Sequence, residues 1–350
     1  MKVFLSGGTG FIGQAIVSAI LGRGWDLSVL VRKPDSPSAQ WIARQGGTLV
    51  QGDVTRASGL AEAMAGMDVA IHNAGVYEIG ADAATIKRMQ SVNVEGTRNF
   101  LSAATAAGAP RTVYVSTVWA LGPSGHPPAP SVTRDETQVH DGHCLTPYER
   151  SKLDAHHVAL ELRRNGLPLA IVMPNGVVGA NDHSVFGYLL RLTLLGLMPP
   201  FGYGADAVYA LVEVGALAEG ICLTAERAPM GEDYLFCGEP VSLGSLFAIW
   251  RKATGSSAAR LNLPRAVMWP QMALAEPVLR ALGLPAFFSR DSVESTRAHL
   301  DFSSAKARRD LGWSCPNAQD MWPRIISRER ELMAQRRGVL AKLKHVPVVG

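Results

Sequence analysis

KVFLSGGTGFIG, residues 2–13, decides how the rest of the chain is read. An apolar strand over 2–6 runs into Gly7, Gly8, Thr9 and Gly10, and helical periodicity takes over beyond them. Glycines at 7, 10 and 13 allow a sharp turn, close approach of a phosphate and tight seating of the helix on the strand. The helix N-terminus then presents free N–H donors and a positive dipole end to a pyrophosphate. Strand, glycine turn and helix in that order are the context in which such a triplet marks a dinucleotide site rather than a structural turn.

Working outward, apolar runs at 27–31, 47–51, 68–72, 111–116 and 168–174 read as further strands. Amphipathic stretches near 10–22, 37–45, 57–65, 83–107 and 147–165 read as helices. This alternation predicts an α/β fold, a Rossmann-type doubly wound parallel sheet with helices on both faces. Past residue 175 the pattern loosens, and Pro199, Pro200, Gly202 and Gly204 break it. Helical stretches follow near 184–196, 207–226, 242–254, 265–282 and 317–337, with one strand at 233–237. The expected division is a dinucleotide-binding domain over 1–175, then a smaller, mostly helical substrate-binding part over 176–322 with some return to the core. A basic tail over 323–350 closes the chain. The Pro-rich stretch 123–130 (PSGHPPAP) reads as a loop just beyond a strand's C-terminal end, where sites in such sheets lie.

Hydrophobic residues make up 47% and charged residues 18% of the 350, the balance of a well-packed α/β protein. No apolar run reaches the roughly 20 residues that a membrane span needs. Lys2 runs straight into the first strand, so no secretory leader is expected and a cytoplasmic location is. Cys144, Cys222, Cys237 and Cys315 are far apart and form no CxxC pair. Free thiols are therefore expected, and no metal. The net charge of +4 is concentrated in 323–350, where seven Lys/Arg face only Glu329 and Glu331. Such a tail can meet an anionic membrane or a nucleic acid. A solvated terminal helix needs neither, and neither partner is expected.

The second strand ends Val29-Leu30-Val31-Arg32-Lys33. An acidic residue there would grip a ribose 2′-OH. Arg32 and Lys33 instead suit a 2′-phosphate, so NADP(H) is expected over NAD(H). Asp53, in Gly52-Asp53-Val54 after the third strand, is placed to accept from the adenine amino group. The chemistry centres on Tyr148-Glu149-Arg150-Ser151-Lys152. Positions i and i+4 share a helix face, so phenol and ammonium point into one space. The ammonium favours the phenolate and lowers the Tyr148 pKa toward working pH, which makes Tyr148 a general acid/base. Ser116 and Thr117 end the strand Val113-Tyr114-Val115 and bring hydroxyls within reach of a substrate oxygen.

On these residues the chain resembles an extended short-chain dehydrogenase/reductase of the NAD(P)-dependent epimerase/dehydratase superfamily. Within it, the likeness is to the dihydroflavonol-4-reductase-like and 3β-hydroxysteroid-dehydrogenase-like branch. It runs nearly end to end: GGTGFIG at 7–13, VLVR at 29–32, GDV at 52–54, HNAG at 72–75 and NVEGTRN at 93–99. It continues through VSTVWALG at 115–122, DET at 135–137, YERSK at 148–152, MPNGVVG at 173–179 and DFSSAKARRDLGW at 301–313. The resemblance implies that Tyr148 is the acid/base, that Lys152 lowers its pKa and binds the nicotinamide ribose, and that Thr117, with Ser116 beside it, holds the substrate carbonyl. It implies Gly7, Thr9, Gly10, Phe11, Ile12 and Gly13 at the pyrophosphate and Asp53 and Val54 by adenine. Asn73, Ala74, Gly75 and Asn93 would surround the cofactor, and Pro174, Asn175, Gly176 and Val177 would lie by the nicotinamide amide. Val76, Trp119, Asn175 and Phe186 join Tyr148 as candidate substrate contacts.

Three departures narrow the substrate. Val118-Trp119 follow Thr117, where sugar-nucleotide dehydratases carry an acidic pair. Met173 precedes Pro174, where sugar-nucleotide epimerases usually have Arg, and Phe186, Leu189, Leu190, Leu192, Leu194 and Leu195 beyond it are apolar. Ala216, in VEVGALA at 212–218, replaces the aspartate of the family's VDVRDLA-like motif. An apolar pocket is expected between strand five's end, the loop 120–145 and the segment 180–205. The reading is an NADPH-dependent reductase of a hydrophobic ketone or aldehyde, or the reverse alcohol dehydrogenase, so the expected partner is a small-molecule carbonyl or alcohol. A cofactor-retaining sugar-nucleotide epimerase is the first alternative. A non-catalytic nucleotide-sensing protein of the same fold is the second, and retention of both Tyr148 and Lys152 argues against it. A monomer or a homodimer is expected, since helices 83–107 and 147–165 can pair across a two-fold axis or simply pack on the sheet.

Overall fold

The structure, a computed structural model, describes residues 1–108, 110–122, 134–281 and 289–343; the Pro-rich stretch 123–130 lies outside them. Strands and helices alternate from the start: β1 (Lys2–Ser6), α1 (Phe11–Gly22), β2 (Asp26–Val31), α2 (Pro37–Arg44), β3 (Thr48–Gln51), α3 (Leu60–Met64) and β4 (Val69–His72). There follow α4 (Ala83–Met89), α5 (Gly96–Ala106), β5 (Arg111–Val115), α6 (Pro147–Arg164) and β6 (Leu169–Pro174). A seventh strand, Asp233–Phe236, pairs with β6 at the sheet edge. Its order is seventh strand–β6–β5–β4–β1–β2–β3, and every pairing is parallel.

The central strands read as unbroken apolar runs because both faces are covered. Every residue of β4 and of β6 is buried. Side chains alternate along β1, so Phe4 packs on one face with Ala70, Tyr114 and Ile171, while Val3 and Leu5 pack on the other with Ile71 and Val113. The first face is closed by α3, α5 and α6. The second is closed by α1 and by α8 (Val214–Arg227), which follows α7 (Val185–Leu194). Residues from the second half of the chain therefore return to the sheet layer.

Two predicted elements differ. The helix expected over 83–107 is α4 and α5 joined by a π-helical turn, Gln90–Glu95. That turn carries Asn93, which is buried and spends its amide on neighbours outside the helix. The helix expected from 207 starts at Val214 instead. Val208-Tyr209 pairs with 241–242 and 299–300, and Val212-Glu213 pairs with 177–178. An apolar run this short fits either periodicity, and tertiary pairing decides it.

The remaining helices are α9 (Leu243–Thr254), α10 (Arg265–Ala281), α11 (Arg290–Ser295), α12 (Ala305–Leu311), α13 (Ala318–Ala334) and α14 (Val339–Leu343). The expectation of a solvated tail needs correction for α13. Its inner stripe, Met321, Trp322, Ile325, Ile326 and Met333, is buried, and Trp322 meets Trp250 of α9 edge-on at 5.0 Å. Glu329 on the same stripe pairs with Arg191 of α7 at 3.2 Å and accepts from the Asn181 N–H at 2.6 Å. The arginines of α13 occupy the opposite, solvated face: Arg324, Arg328 and Arg330 are exposed. All four cysteines are free thiols. Among the described residues no helix is long and apolar enough to cross a membrane.

Two glycines of α1 give opposite expectations. A Cβ on Gly13 would overlap the Gly7 carbonyl oxygen, whereas one on Gly22 meets nothing within 4 Å. Gly13→Ala should cost at least about 1–3 kcal/mol, and Gly22→Ala should add about 0.4–1 kcal/mol. Urea unfolding of the two variants against the parent checks both signs.

Candidate active site

The sheet order reverses between β1 and β4, and the two strands' exits open a crevice there, where α/β sites form. The turn after β1 and the segment after β4 nearly touch. Gly7 is left-handed (φ +75°), and a Cβ on it would sit 2.7 Å from the Ala74 nitrogen. Only glycine fits both the conformation and the gap. Ser36, Asp82, Thr146, Ser184, Ser242 and Asn317 each cap their helix with a side chain, but Gly10 at the start of α1 does not. The first-turn N–H groups of α1 are left to an external acceptor. The cleft these parts bound has a volume of about 710 Å³. Bare backbone at an uncapped helix start, with room beside it, fits a dinucleotide pyrophosphate.

A chain of buried hydrogen bonds fixes the cleft floor to α6. The Ala74 N–H donates to Ser6 Oγ at 3.3 Å, and Ser6 Oγ meets His72 Nδ1 at 2.8 Å. His72 Nε2 meets Thr97 Oγ1 at 3.1 Å, and the Thr97 hydroxyl donates to the Asn93 carbonyl at 2.6 Å. Since Thr97 has spent its proton, His72 donates from Nε2 and accepts at Nδ1 from Ser6. Burial, with the Lys152 charge adding to it, lowers the His72 pKa to about 3, so the ring is neutral. The Asn93 side chain then accepts from Val76 N–H at 2.7 Å and donates to Val76 O and to Ser151 Oγ, at 3.0 and 2.9 Å. The Ser151 hydroxyl donates to the Tyr148 carbonyl at 2.8 Å.

Thr146 caps α6, and one turn on Tyr148 and Lys152 share its inward face. Lys152 Nζ donates to Val115 O at 3.3 Å and to Tyr114 Oη at 3.4 Å. Burial disfavours its charge, but the phenolic oxygens of Tyr114 and Tyr148 outweigh that and hold its pKa above the ordinary lysine value. For Tyr148 the sequence expectation of a lowered pKa is reversed. Burial raises it above the ordinary phenol value, and the Lys152 charge and a hydrogen bond with Thr117 offset only part of that. Thr117 Oγ1 donates to Pro174 O at 3.4 Å and lines the cleft. Ser116 also lines it, but its hydroxyl turns to His156 Nδ1 at 3.3 Å.

Residues 3–236 match the NAD dependent epimerase/dehydratase family. The chain belongs to that family. The family match and the cleft together make the protein an NAD(P)-dependent oxidoreductase of the extended short-chain dehydrogenase/reductase type. One relative is the 4-hydroxy-2-methyl-3-oxo-4-farnesyl-3,4-dihydroquinoline-1-oxide ketoreductase of Stigmatella aurantiaca, 30% identical over 321 residues, covering 90% of this chain and 92% of that one. Another is the 3-beta-hydroxysteroid dehydrogenase of Mycolicibacterium neoaurum, 28% identical over 334 residues, covering 89% and 86%. Among solved structures, gox2253 is 30% identical with a TM-score of 0.78, over 95% of this chain and 98% of that chain.

Within this epimerase/dehydratase-family chain the cleft gathers most of the positions singled out from sequence. Gly7, Thr9, Gly10, Phe11, Ile12 and Gly13 line it at α1, with Asn73, Ala74, Gly75 and Val76 opposite. Pro174, Asn175, Gly176, Val177, Trp119 and Phe186 line the rest. Arg32, Asp53 and Val54 line the far end. Arg32 is exposed, and the Asp53 carboxylate closes a local turn by accepting from Thr55 N and Oγ1 at 2.9 and 3.0 Å. Lys33 and Asn93 do not line the cleft: Lys33 points to solvent, and Asn93 is the buried brace described above.

The pocket walls follow expectation only in part. Of the loop 120–145, residues 123–133 lie outside the described residues, and none of the others lines the cleft. Leu190 packs into the core and Leu192 is buried, and neither lines the cleft. Ala216 is also elsewhere, on α8, where its carbonyl accepts from Trp313 Nε1 at 2.7 Å. The segment 180–205 does reach the cleft, through Asp182 to Phe186, and further wall residues are Tyr77, Ile79, Tyr209 and Leu300, with Arg88 exposed at α4. Tyr77 packs edge-on against Tyr148 at 4.8 Å. Extending the HNAG strand exit by two residues reaches Tyr77. Tyr209 and Leu300 sit on two-residue strands that leave no periodic signal.

His156 provides a pH test. Burial, then the His157, Arg163 and Lys152 charges, lower its pKa from 6.5 to about 3. The unfolded chain binds that proton first, so the stability held by the neutral ring is complete above about pH 6.5 and is lost as pH falls toward 3. His156→Gln should retain roughly 2–3 kcal/mol more of its own neutral-pH stability at pH 4 than the parent does. Urea unfolding at pH 7 and pH 4 checks this, and equal losses would contradict it.

Proposed function

We propose that the protein reduces the ketone or aldehyde of a hydrophobic small molecule to an alcohol with NADPH, with Tyr148 as the proton donor. The observation that carries this is the company Tyr148 keeps. Its phenol shares one wall with Thr117 and Lys152, and aromatic and aliphatic side chains make the surroundings. When bound, the nicotinamide supplies hydride to the carbonyl carbon. The Thr117 hydroxyl, within bonding reach of the Tyr148 phenol, orients the carbonyl oxygen. As charge develops on that oxygen, Tyr148 donates its proton, and Lys152 limits the cost of the phenolate left behind. The raised Tyr148 pKa favours this direction, because reduction needs a phenol that still holds its proton.

The walls support an apolar substrate. Val76, Tyr77, Ile79, Trp119, Phe186 and Tyr209 face the cleft, while its side-chain cations among the described residues are Lys152, Arg32 and Arg88. Lys152 is engaged by Tyr114 and Val115, and Arg32 and Arg88 are exposed. A sugar diphosphate seated among these rings would lose hydration worth several kcal/mol without buried cations to replace it. The Stigmatella aurantiaca relative is named for a ketone of a farnesylated quinoline, which agrees with such walls. Arg32, at the end of β2 with no ion-pair partner among the described residues, suits the 2′-phosphate of NADPH.

Tyr148→Phe should lower kcat by a factor of at least about 100 while leaving the NADPH dissociation constant within about twofold, since only the proton is removed. Substantial turnover by that variant would move the acid/base role to another group.

Arg32→Asp should raise the KM for NADPH by at least about tenfold and leave NADH use unchanged or improved, as expected for loss of a charge-assisted phosphate contact. Steady-state kinetics with both cofactors decides this, and a parent enzyme that uses both equally well would refute the assignment. Calorimetric titration of the NADP-loaded protein with UDP-sugars tests the substrate class, and micromolar binding would favour an epimerase.

A further inference from the structure

His140, Cys144 and Glu149 bring an imidazole nitrogen, a thiol and a carboxylate to one point at the start of α6, with the ligand atoms all within 4.8 Å of one another. His140 Nε2 lies 3.1 Å from Glu149 Oε1 and 3.9 Å from Cys144 Sγ. None of the three lines the cleft, so the proposed reduction makes no use of them. Two of them are nevertheless almost wholly enclosed, the side chains of His140 and Glu149 being 2% and 0% exposed. Glu149 Oε2 accepts from Leu145 N–H at 2.5 Å, which leaves Oε1 facing the imidazole. Burial disfavours the charged form of both Glu149 and His140. Backbone hydrogen bonds at Leu145 and Thr146 offset part of that cost for the Glu149 carboxylate, and a bound cation would offset more.

We propose that His140, Cys144 and Glu149 form a binding site for a borderline-soft divalent cation of the zinc class. A nitrogen, sulfur and oxygen donor set suits zinc, whereas magnesium and calcium prefer oxygen alone. Metal–ligand bonds of about 2.0–2.3 Å in a tetrahedron separate adjacent donors by roughly 3.3–3.8 Å. The separations of 3.1 and 3.9 Å bracket that range, so small side-chain shifts close the site. Three protein donors leave the fourth position to solvent.

Binding requires an ionised Glu149 carboxylate, any proton there passing to solvent, and two further proton movements. The Cys144 thiol, whose pKa burial pushes up to about 11, gives its proton to solvent as the sulfur–metal bond forms. His140 Nδ1 accepts from Gly142 N–H at 2.8 Å, so its ring proton sits on Nε2. The metal takes the Nε2 lone pair, and the proton moves to Nδ1. Asp141 Oδ1, 3.7 Å from Nδ1, is then the acceptor that orients the ring. Gly142, an exposed turn residue, yields its contact without disturbing a core. The metal would tie 140–145 to the first turn of α6, one residue from Tyr148, independently of what substrate the cleft takes.

The test uses full-length protein freed of metal by a chelator and then titrated with zinc chloride, cobalt chloride or magnesium chloride. Zinc should bind at one ion per chain, release protons and raise the melting temperature, while magnesium should do neither. The cobalt form should show a thiolate-to-cobalt charge-transfer band. Cys144→Ser should abolish that band and weaken zinc binding by at least about tenfold, and His140→Ala should weaken it similarly. His143→Ala, at an exposed neighbour, should bind zinc as the parent does. Metal-free Cys144→Ser should keep the parent's far-UV circular dichroism and the melting temperature of the metal-free parent, which shows that it is folded. Absence of zinc binding, absence of the charge-transfer band, or zinc affinity that survives both Cys144→Ser and His140→Ala would overturn the proposal.

Discussion

The close approach of the β1 turn to the β4 exit is the constraint on which the rest of the cleft depends. Gly7 passes within contact of Ala74, and no other residue fits that gap in that conformation. The approach is held by buried polar groups, each of which has a partner. Ala74, Ser6, His72, Thr97, Asn93, Ser151 and the Tyr148 carbonyl form one continuous path from the cofactor floor to α6. In a low-dielectric interior an unpaired member would be expensive, so the path admits one arrangement. The dinucleotide side and the proposed proton donor are thereby set at fixed separation before any ligand arrives.

The same path explains why the family motifs are spaced as they are. Asn93 of NVEGTRN is a candidate cofactor contact by sequence, yet, like His72 of HNAG, it acts inside the protein. His72 is a neutral bridge, and Asn93 clamps Val76 from both its backbone groups. The π-helical turn that carries Asn93 sits where three elements must be joined at once, a common use of that irregularity. Further out, Glu329 of α13 holds Arg191 and the Asn181 N–H beside the cleft wall at Asp182. The basic C-terminal helix thus buttresses this wall of the cleft rather than floating in water.

What was legible in the sequence follows from periodicity. β1 to β6 and their helices are long enough, and buried enough, to impress a pattern on the residues, and the glycine turn and YERSK announce their own geometry. The leucines of α7 and the start of α8 were misplaced for a different reason. An apolar residue does not say whether it faces a cavity or a neighbour, and a run of two or three residues has no period to read. Tyr209 and Leu300 reach the cleft through pairing with each other across the chain, which local periodicity does not record. The direction of the Tyr148 pKa also needed the fold. The sequence shows the lysine one turn away, but not the burial that outweighs it. The three donors of the proposed metal site form no familiar cysteine pair, and their convergence too depends on the loop before α6.

Transfer of the label from 4-deuterated NADPH tests the proposed chemistry most directly. The enzyme is incubated with both 4R and 4S labelled cofactor and a panel of aryl and alicyclic ketones, and the products are read by mass spectrometry and deuterium NMR. Reduction as proposed places one deuterium on the carbinol carbon, from one of the two labelled forms only, with stoichiometric loss of NADPH. Retention of the label in the cofactor with every ketone, together with interconversion of a UDP-sugar at no net cost in NADPH, would contradict it.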